Sequence, residues 1–115
     1  LEAISTAKIQ NKKVLICFTA DWCHNCVRLK NETLSDKEVQ EKLSDYILLY
    51  LNTDKEKKLA RQYEVYGIPH YVIIDSDEIR YATGTGFMPK NEFLNWLDKK
   101  GKTSSKNQSI LQPDP

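Results

Sequence analysis

A pair of cysteines directly after an apolar run is the strongest constraint on this chain. Residues 14–18, VLICF, are continuously apolar and β-prone, which predicts a strand buried on both faces. Cys23 and Cys26 follow, separated by two residues, where the chain has the features of a helix start. A C-x-x-C at a strand-to-helix junction is typical of a redox centre.

The position of this pair predicts different roles for its two thiols. A thiolate is the form that attacks a disulfide, so a catalytic cysteine needs a group that favours ionisation. At a helix start, Cys23 faces free backbone N–H groups and the positive end of the helix dipole. Cys26 lies one turn along, within reach of a short disulfide. We therefore predict that Cys23 is the accessible nucleophile and that Cys26 is the more buried, resolving thiol.

The cysteines could also form a zinc site or a structural disulfide. A zinc site could take Cys23, His24 and Cys26. The remaining candidate ligands are Cys17, in the predicted strand, and His70, after a proline turn, whereas a structural site usually draws a second close pair. A purely structural disulfide would close so short a loop that it restricts the unfolded chain little. The redox use is favoured, with no metal and no cofactor besides the cysteine pair.

Composition narrows the class of protein. The chain has 115 residues with 40% hydrophobic side chains, enough for one domain with one core. Its 17 basic and 16 acidic residues leave a net charge of +1 without a charged block, which gives no indication of a nucleic-acid or anionic membrane partner. No apolar segment reaches the length of a membrane helix, and residues 1–10 lack the features of a signal peptide. We expect a monomer that does not insert into a membrane.

Apolar periodicity predicts the element order α-β-α-(α)-β-α-β-β-α. Helices are predicted at 2–10, after the cysteines to residue 32, from a capping box at 35–38, from a cap at Thr53 or Asp54 to Tyr63, and from Pro89 to about Lys100. Strands are predicted at 14–18, at 46–51 as a second buried strand, at 71–74 and at 79–82, with a loop at 84–86. Strands separated by helices are expected to be parallel, and the last two to pair through a turn. This order indicates an α/β domain with one mixed sheet between helices.

Several motifs resemble the thioredoxin superfamily: "VLICFTADWCHNC", the later "YGIP", and "GF" before a last amphipathic helix. Three others, "ADWC", "TLSDKEVQEKL" and "TGFMPKNEF", resemble the C-terminal thioredoxin-like domain of the DsbD family of thiol:disulfide interchange proteins. The similarity covers about residues 3–100. It implies a thioredoxin-like domain at 1–100, with a mixed sheet of four to five strands flanked by helices. Residues 101–115 are polar and are predicted to be a disordered tail.

The resemblance also implies a substrate-binding surface. The Ile68–Pro69 bond would be cis and lie beside Cys23, leaving the backbone of Ile68 free to pair with a substrate strand. Around it, the binding and tuning residues would be Trp22, His24, Asn25, Ile68 and Pro69.

The sequence also predicts positions or roles for the nearby tryptophan, tyrosine and histidine side chains. Trp22 is expected to flank and cover the disulfide, with plain core packing as the alternative. His70 is expected to lie at the groove edge rather than act in catalysis. Tyr63 and Tyr66 are expected to pack beside the proline loop. His24 is open to two interpretations: it stabilises the Cys23 thiolate or contacts a partner, or it is an exposed residue that only tunes the potential.

Two residues depart from the family pattern. Superfamily members often carry a buried Asp six residues before the first cysteine, where this chain has Cys17; DsbD-type domains often carry a Glu four residues after the second cysteine, where it has Lys30. Acids there would disfavour thiolates and a lysine would favour them. We therefore predict that Cys23 ionises more readily than in relatives with both acids. Cys17 is favoured as an inert buried side chain over a third redox thiol.

By resemblance, the chain is predicted to be a thiol–disulfide oxidoreductase that relays electrons. Its partners would be other thiol or disulfide proteins, including a membrane-embedded donor domain, in an extracytoplasmic or periplasmic compartment; a cytoplasmic location is left open. The alternatives are a free-standing thioredoxin-like reductase or isomerase of broad range, and a binding module without redox activity. The direction of electron flow depends on the reduction potential of the cysteine pair relative to that of its partners.

Overall fold

One four-stranded mixed sheet with helices on both faces forms the fold in the computed structural model, which describes residues 2–100. The predicted tail at 101–115 lies outside these residues. The strands are β1 (Lys13–Thr19), β2 (Tyr46–Asn52), β3 (His70–Ile74) and β4 (Arg80–Thr85). The helices are α1 (Glu2–Gln10), α2 (His24–Arg28), continued by a π-turn (Leu29–Thr33), α3 (Lys37–Leu43), α4 (Lys57–Gln62) and α5 (Lys90–Lys100). None of these helices is long and apolar enough to cross a membrane. The predicted element order is confirmed.

Strand β1 is the interior strand that carries the chain to the cysteine pair. The sheet order is β2-β1-β3-β4, so β1 has a neighbour on each side. Its side chains alternate between two cores: Ile16 and Phe18 pack with α1 and α4, whereas Leu15 and Cys17 pack with α3 and α5. Residues 14–18 are all buried, which confirms the strand predicted from their continuous apolar run.

The direction of β3 differs from the expectation that strands separated by a helix run parallel. β2 is parallel to β1, but β3 is antiparallel to it. The reason is the length of α4, which has six residues and spans about 9 Å, whereas the seven-residue β2 spans about 23 Å. The helix is too short to return the chain along the sheet, so β3 begins at the end where β2 finishes. Thr19, Asn52 and His70 therefore meet at one end of the sheet.

The two edge strands also differ from prediction. β2 was predicted to be buried, but it is mostly half-buried because it lies at the edge of the sheet, and Tyr50 is 47% exposed. β4 includes Gly84 and Thr85, which were predicted to lie in a loop. They pair with Tyr71 and His70, so β4 extends to the same end of the sheet as the cysteine pair.

The caps of α3 and α4 are not the predicted ones. Asp36, rather than Ser35, caps α3, and its carboxylate accepts the backbone N–H groups of Glu38 at 2.9 Å and Val39 at 3.2 Å. At α4, Asn52 accepts backbone N–H groups within the turn at 53–55, which delays the helix to Lys57. A side chain can satisfy these N–H groups from more than one position, so cap motifs locate a helix start only to within a few residues.

Candidate active site

The cysteine pair lies where β1 has ended and α2 begins. Cys23 is the residue before the first turn of α2, in an extended conformation, and it is joined to Cys26 by a disulfide with the two Cα atoms 5.2 Å apart. The backbone N–H of Cys26 donates to the sulfur of Cys23 across 3.1 Å. A backbone donor at this distance favours the thiolate when the disulfide is reduced.

The two cysteines open onto different sides of the protein. Both residues are 6% exposed. The prediction that Cys26 is the more buried of the two is therefore wrong. Cys23 lines an apolar-walled groove of about 520 Å³, which we name the Cys23 groove. Its lining includes Trp22, His24, Asn25, Tyr66 and Ile68. Cys26 is absent from this lining and instead faces a second cavity, described below.

The proline loop lies against Cys23. The Ile68–Pro69 peptide bond is cis, as the resemblance implied, and the carbonyl oxygen of Ile68 lies 3.7 Å from the Cys23 sulfur. Pro69 itself is buried, and its carbonyl accepts the N–H of Gly86 at 2.8 Å. Gly86 has a φ of +95°, a conformation that favours glycine. The end of β4 therefore holds the proline loop next to the disulfide.

Trp22 lies on the groove wall but does not form a buried cover over the disulfide. Its side chain is 66% exposed, and its indole N–H donates to the carboxylate of Asp54 at 2.9 Å. Asp54 belongs to the turn that Asn52 caps, immediately after β2. An exposed indole is thus held in place by a neighbouring strand end.

His24 and Asn25 are exposed in the first turn of α2, and both line the Cys23 groove. Tyr66 does as well, but it is 91% exposed rather than packed beside the proline loop as predicted. Tyr63, by contrast, is buried against the α1 and α4 face of the sheet. The apolar side chains Val65 and Ile68 pack into that core, leaving Tyr66 in solvent.

His70 lies inside the sheet rather than at the groove edge. It is 7% exposed, its Nδ1 is 2.8 Å from the hydroxyl of Thr85, and its ring packs against Phe18. Its Nε2 is buried with no hydrogen-bond partner among the described residues. Burial, reinforced by the charge of Arg80, lowers the pKa of His70. The register explains the error, because residue 70 is the first residue of β3 rather than part of the preceding loop.

Cys17 is buried in the core between the sheet and α3 and α5, with 2% of its surface exposed. This burial raises the pKa of its thiol to about 12, so it stays protonated at neutral pH. The environment agrees with the interpretation of Cys17 as an inert core side chain.

A second cavity, of about 370 Å³, lies on the Cys26 side of the disulfide, and we name it the Cys26 cavity. Its lining includes Cys17, Asp21, Cys26, Lys30, Leu34 and Tyr50. Lys30 and Asp21 are exposed. The two positions that depart from the family pattern, Cys17 and Lys30, thus line the same cavity as Cys26 and do not line the Cys23 groove.

The zinc alternative does not fit this arrangement. Cys17 faces the core formed with α3 and α5, whereas His70 packs against Phe18 on the opposite face of the sheet. These two side chains cannot join the cysteine pair around one ion. Among residues 2–100, no group of three or more His, Cys, Asp or Glu side chains is placed to hold a metal. Disulfide exchange itself needs only the two thiols.

Three contacts that support the region around the cysteine pair were not predicted from the sequence. Asp54 fixes Trp22, as described above. Thr33, fully buried at the end of the π-turn, donates to the carbonyl of Met88 at 2.6 Å. The guanidinium of Arg28 lies 3.9 Å from the ring centroid of Phe87. The last two contacts fix the 86–89 loop beside the helix that carries Cys26. Their signal is weak, since each joins residues more than 30 positions apart.

Relatives with known names match this chain over most of its length. The DsbD thiol:disulfide interchange protein of Actinobacillus pleuropneumoniae is 33% identical over 96 residues, which cover 78% of this chain. That of Vibrio cholerae is 32% identical over 105 residues, which cover 86%. The matched regions make up only 16% and 18% of those proteins, so the chain corresponds to about one-sixth of their length.

Solved structures agree on the fold. The oxidised C-terminal domain of DsbD from Neisseria meningitidis superimposes with a TM-score of 0.73 at 23% identity, covering 86% of this chain and 90% of that domain. A thioredoxin from Thermus thermophilus gives a TM-score of 0.77 at 26% identity, covering 85% of this chain and 80% of that one. The thioredoxin-like fold predicted from the sequence is confirmed. A family profile described as a thioredoxin-like domain matches residues 2–101, and the chain belongs to that family.

Proposed function

We propose that this chain is a thiol–disulfide oxidoreductase that reduces disulfides of other proteins through Cys23 and Cys26. The observation that carries the proposal is the position of the disulfide. Its Cys23 sulfur lies in an open groove, accepts a backbone N–H from Cys26, and lies next to the cis-proline loop. A sulfur that opens onto a groove, with a backbone donor on one side and the backbone of the proline loop on the other, supports mixed-disulfide exchange.

The reaction proceeds in two steps. The Cys23 thiolate attacks the client disulfide, forming a Cys23–client bond and releasing one client thiolate. Cys26 then attacks Cys23, the Cys23–Cys26 disulfide forms, and the second client thiolate leaves and takes a proton. The client gains two electrons and the dithiol loses two. Five residues are proposed to bind the client and tune the Cys23 sulfur: Trp22, His24, Asn25, Ile68 and Pro69. The first four line the Cys23 groove, and Pro69 forms the cis peptide bond with Ile68.

Similarity to DsbD supports a role as an electron relay. In this proposal the chain receives electrons from a membrane-embedded donor domain, passes them to other thiol proteins and works outside the cytoplasm. The likeness to a thioredoxin favours a second candidate, a free-standing general reductase of many clients. A reductant must hold a reduction potential at or below that of its clients, and a difference of about 30 mV changes the equilibrium tenfold. Equilibration against glutathione therefore tests the direction of flow.

Insulin reduction with dithiothreitol tests the exchange activity. Cys23→Ser should abolish the catalysed rate, because the attacking sulfur is lost. Cys26→Ser, reduced beforehand and mixed with insulin after the dithiothreitol has been removed, should instead accumulate a mixed disulfide on Cys23, visible by mass spectrometry. Cys17→Ala is the matched control, because it removes a neutral core thiol that does not line the Cys23 groove and adds no buried polar group, so the rate should stay close to that of the parent. A Cys23→Ser variant with full activity would contradict the role of Cys23, and a parent protein with no catalysed rate would favour a binding module.

A further inference from the structure

Charge is distributed unequally between the two openings beside the disulfide. The Cys23 groove is lined mainly by apolar and aromatic side chains, with His24 and Tyr66 as its titratable groups other than Cys23. The Cys26 cavity carries Asp21 from the β1–α2 loop, Lys30 from the π-turn, Tyr50 from β2 and Cys17 from β1. The lining residues that carry a formal charge, Asp21 and Lys30, therefore lie on the side of the resolving thiol.

The resolving step needs Cys26 to lose a proton. Of the groups around it, Cys17 cannot accept this proton at neutral pH, because burial raises its pKa to about 12 and keeps it a neutral thiol. Burial also raises the pKa of the Tyr50 phenol, which likewise stays protonated. Neither Cys17 nor Tyr50 can therefore serve as a base at neutral pH.

The cavity gives Cys26 a route to solvent. Its volume of about 370 Å³ has room for several water molecules, each of which occupies about 30 Å³ in the liquid. Lys30 and Asp21 are exposed, and Tyr50 is 47% exposed, so the cavity reaches the surface. A proton that leaves Cys26 on this side does not have to cross the groove where the client binds.

Lys30 is the positively charged residue that lines the Cys26 cavity. It follows Cys26 by four residues along the helical path formed by α2 and the π-turn, and both residues line the Cys26 cavity. An ammonium there stabilises a thiolate, and the carboxylate of Asp21 opposes it. The sequence had associated Lys30 with Cys23, but the structure associates it with Cys26.

We propose that the Cys26 cavity is the proton exit of the resolving step and that Lys30 promotes this step by stabilising the Cys26 thiolate. The inference deepens the proposed function and rests on it. Cys26 releases its proton to water in the cavity and attacks Cys23, the Cys23–Cys26 bond forms, the Cys23–client bond breaks, and the departing client thiolate takes up a proton from solvent. Lys30 acts through Cys26 and touches no client.

Rapid mixing of the reduced protein with 2,2′-dithiodipyridine separates the two steps. The probe is uncharged, so it has no direct charge interaction with Lys30. Attack by Cys23 releases one thiopyridone in a phase that depends on probe concentration. Resolution by Cys26 releases the second in a phase that does not. The rate of this second phase is measured as a function of pH.

Lys30→Gln should raise the pH midpoint of the second phase by about half a unit, because the Cys26 thiolate loses a stabilising charge. The phase should be only about twofold slower at pH 7, because the smaller fraction of thiolate is partly compensated by its greater nucleophilicity. Lys30→Arg should restore the parent profile, and Asp21→Asn should lower the midpoint. Raising the salt concentration should reduce the difference between the parent and Lys30→Gln. Lys37→Gln, which removes an exposed lysine outside both openings, is the matched control and should follow the parent.

Failure of the inference and failure of the proposed function give different results. If neither phase is seen with the parent protein, the oxidoreductase proposal itself fails. If both phases are seen but the profiles of Lys30→Gln and the parent coincide, only the role of Lys30 is overturned. A Lys30→Arg variant that behaves like Lys30→Gln would also overturn it, since the effect would then not follow the charge.

Discussion

Two cysteine–histidine pairs in this protein have the same residue types and opposite environments. Cys17 and His70 lie inside the sheet, 2% and 7% exposed, on opposite faces of it. Cys23 and His24 lie where β1 has ended and α2 begins, at the opening of a groove. Strand interiors have their backbone groups paired within the sheet, whereas a helix start presents free N–H groups. We therefore expect thiol reactivity to depend on position relative to the end of the strand rather than on residue type.

The largest expected difference is in thiol reactivity. In the reduced, folded protein at pH 8, iodoacetamide should modify Cys17 roughly a thousandfold more slowly than an ordinary free cysteine, because a thiol with a pKa of about 12 is ionised in only about one molecule in ten thousand. Cys23 should react first. Peptide mapping by mass spectrometry over time measures both rates.

Unfolding provides the control for this prediction. In concentrated denaturant the two cysteines should react at similar rates, since burial no longer separates them. Comparable rates in the folded protein would show that the sheet interior does not protect Cys17, and the contrast between the two regions would be lost.

An intermediate effect is expected from His70 as the pH falls. Its pKa is lowered by burial, so the unfolded state takes up a proton before the folded state does. Stability from this group is complete above the unfolded pKa of about 6.5 and is lost as the pH falls through that value to the folded pKa, by at most about 1.4 kcal/mol per pH unit. Urea unfolding of the oxidised protein at a series of pH values measures this slope.

Two variants separate the buried histidine from the exposed one. His70→Gln should flatten the slope below pH 6.5, although it also changes the contact with Thr85 and so lowers stability at every pH. His24→Gln removes the imidazole in the groove and tests whether any histidine produces the same change. A slope that persists in His70→Gln would mean that another group is responsible.

The smallest expected effect concerns the groove wall. Asp54→Ala removes the acceptor of the Trp22 indole N–H and should slow exchange with a protein client about two- to threefold, because the exposed indole loses one hydrogen bond. Asp54→Asn keeps an oxygen acceptor and should stay closer to the parent rate. Insulin reduction measures both. Equal losses in the two variants would indicate that charge, rather than the position of Trp22, affects the client.

Local sequence patterns were sufficient for the parts of the fold that depend on near neighbours. The apolar run of β1, the helix of α1 and the order of the elements follow from periodicity over a few residues. The position of Cys23 before the first turn of α2 also follows from a short segment, since a strand end and a helix start adjoin there. The family resemblance added the cis bond before Pro69, which local reasoning alone would have assigned as trans.

The sequence by itself thus determined that a C-x-x-C pair stands at a helix start in an α/β domain. Only the tertiary structure decided which surface each sulfur faces. The six residues of α4 set β3 antiparallel, which brought His70 into the sheet and the proline loop against Cys23. Lys30 came to line the cavity of Cys26, and Tyr66 was left in solvent. These outcomes depend on contacts between residues distant in the chain, and a pattern read over a few neighbouring residues does not contain them.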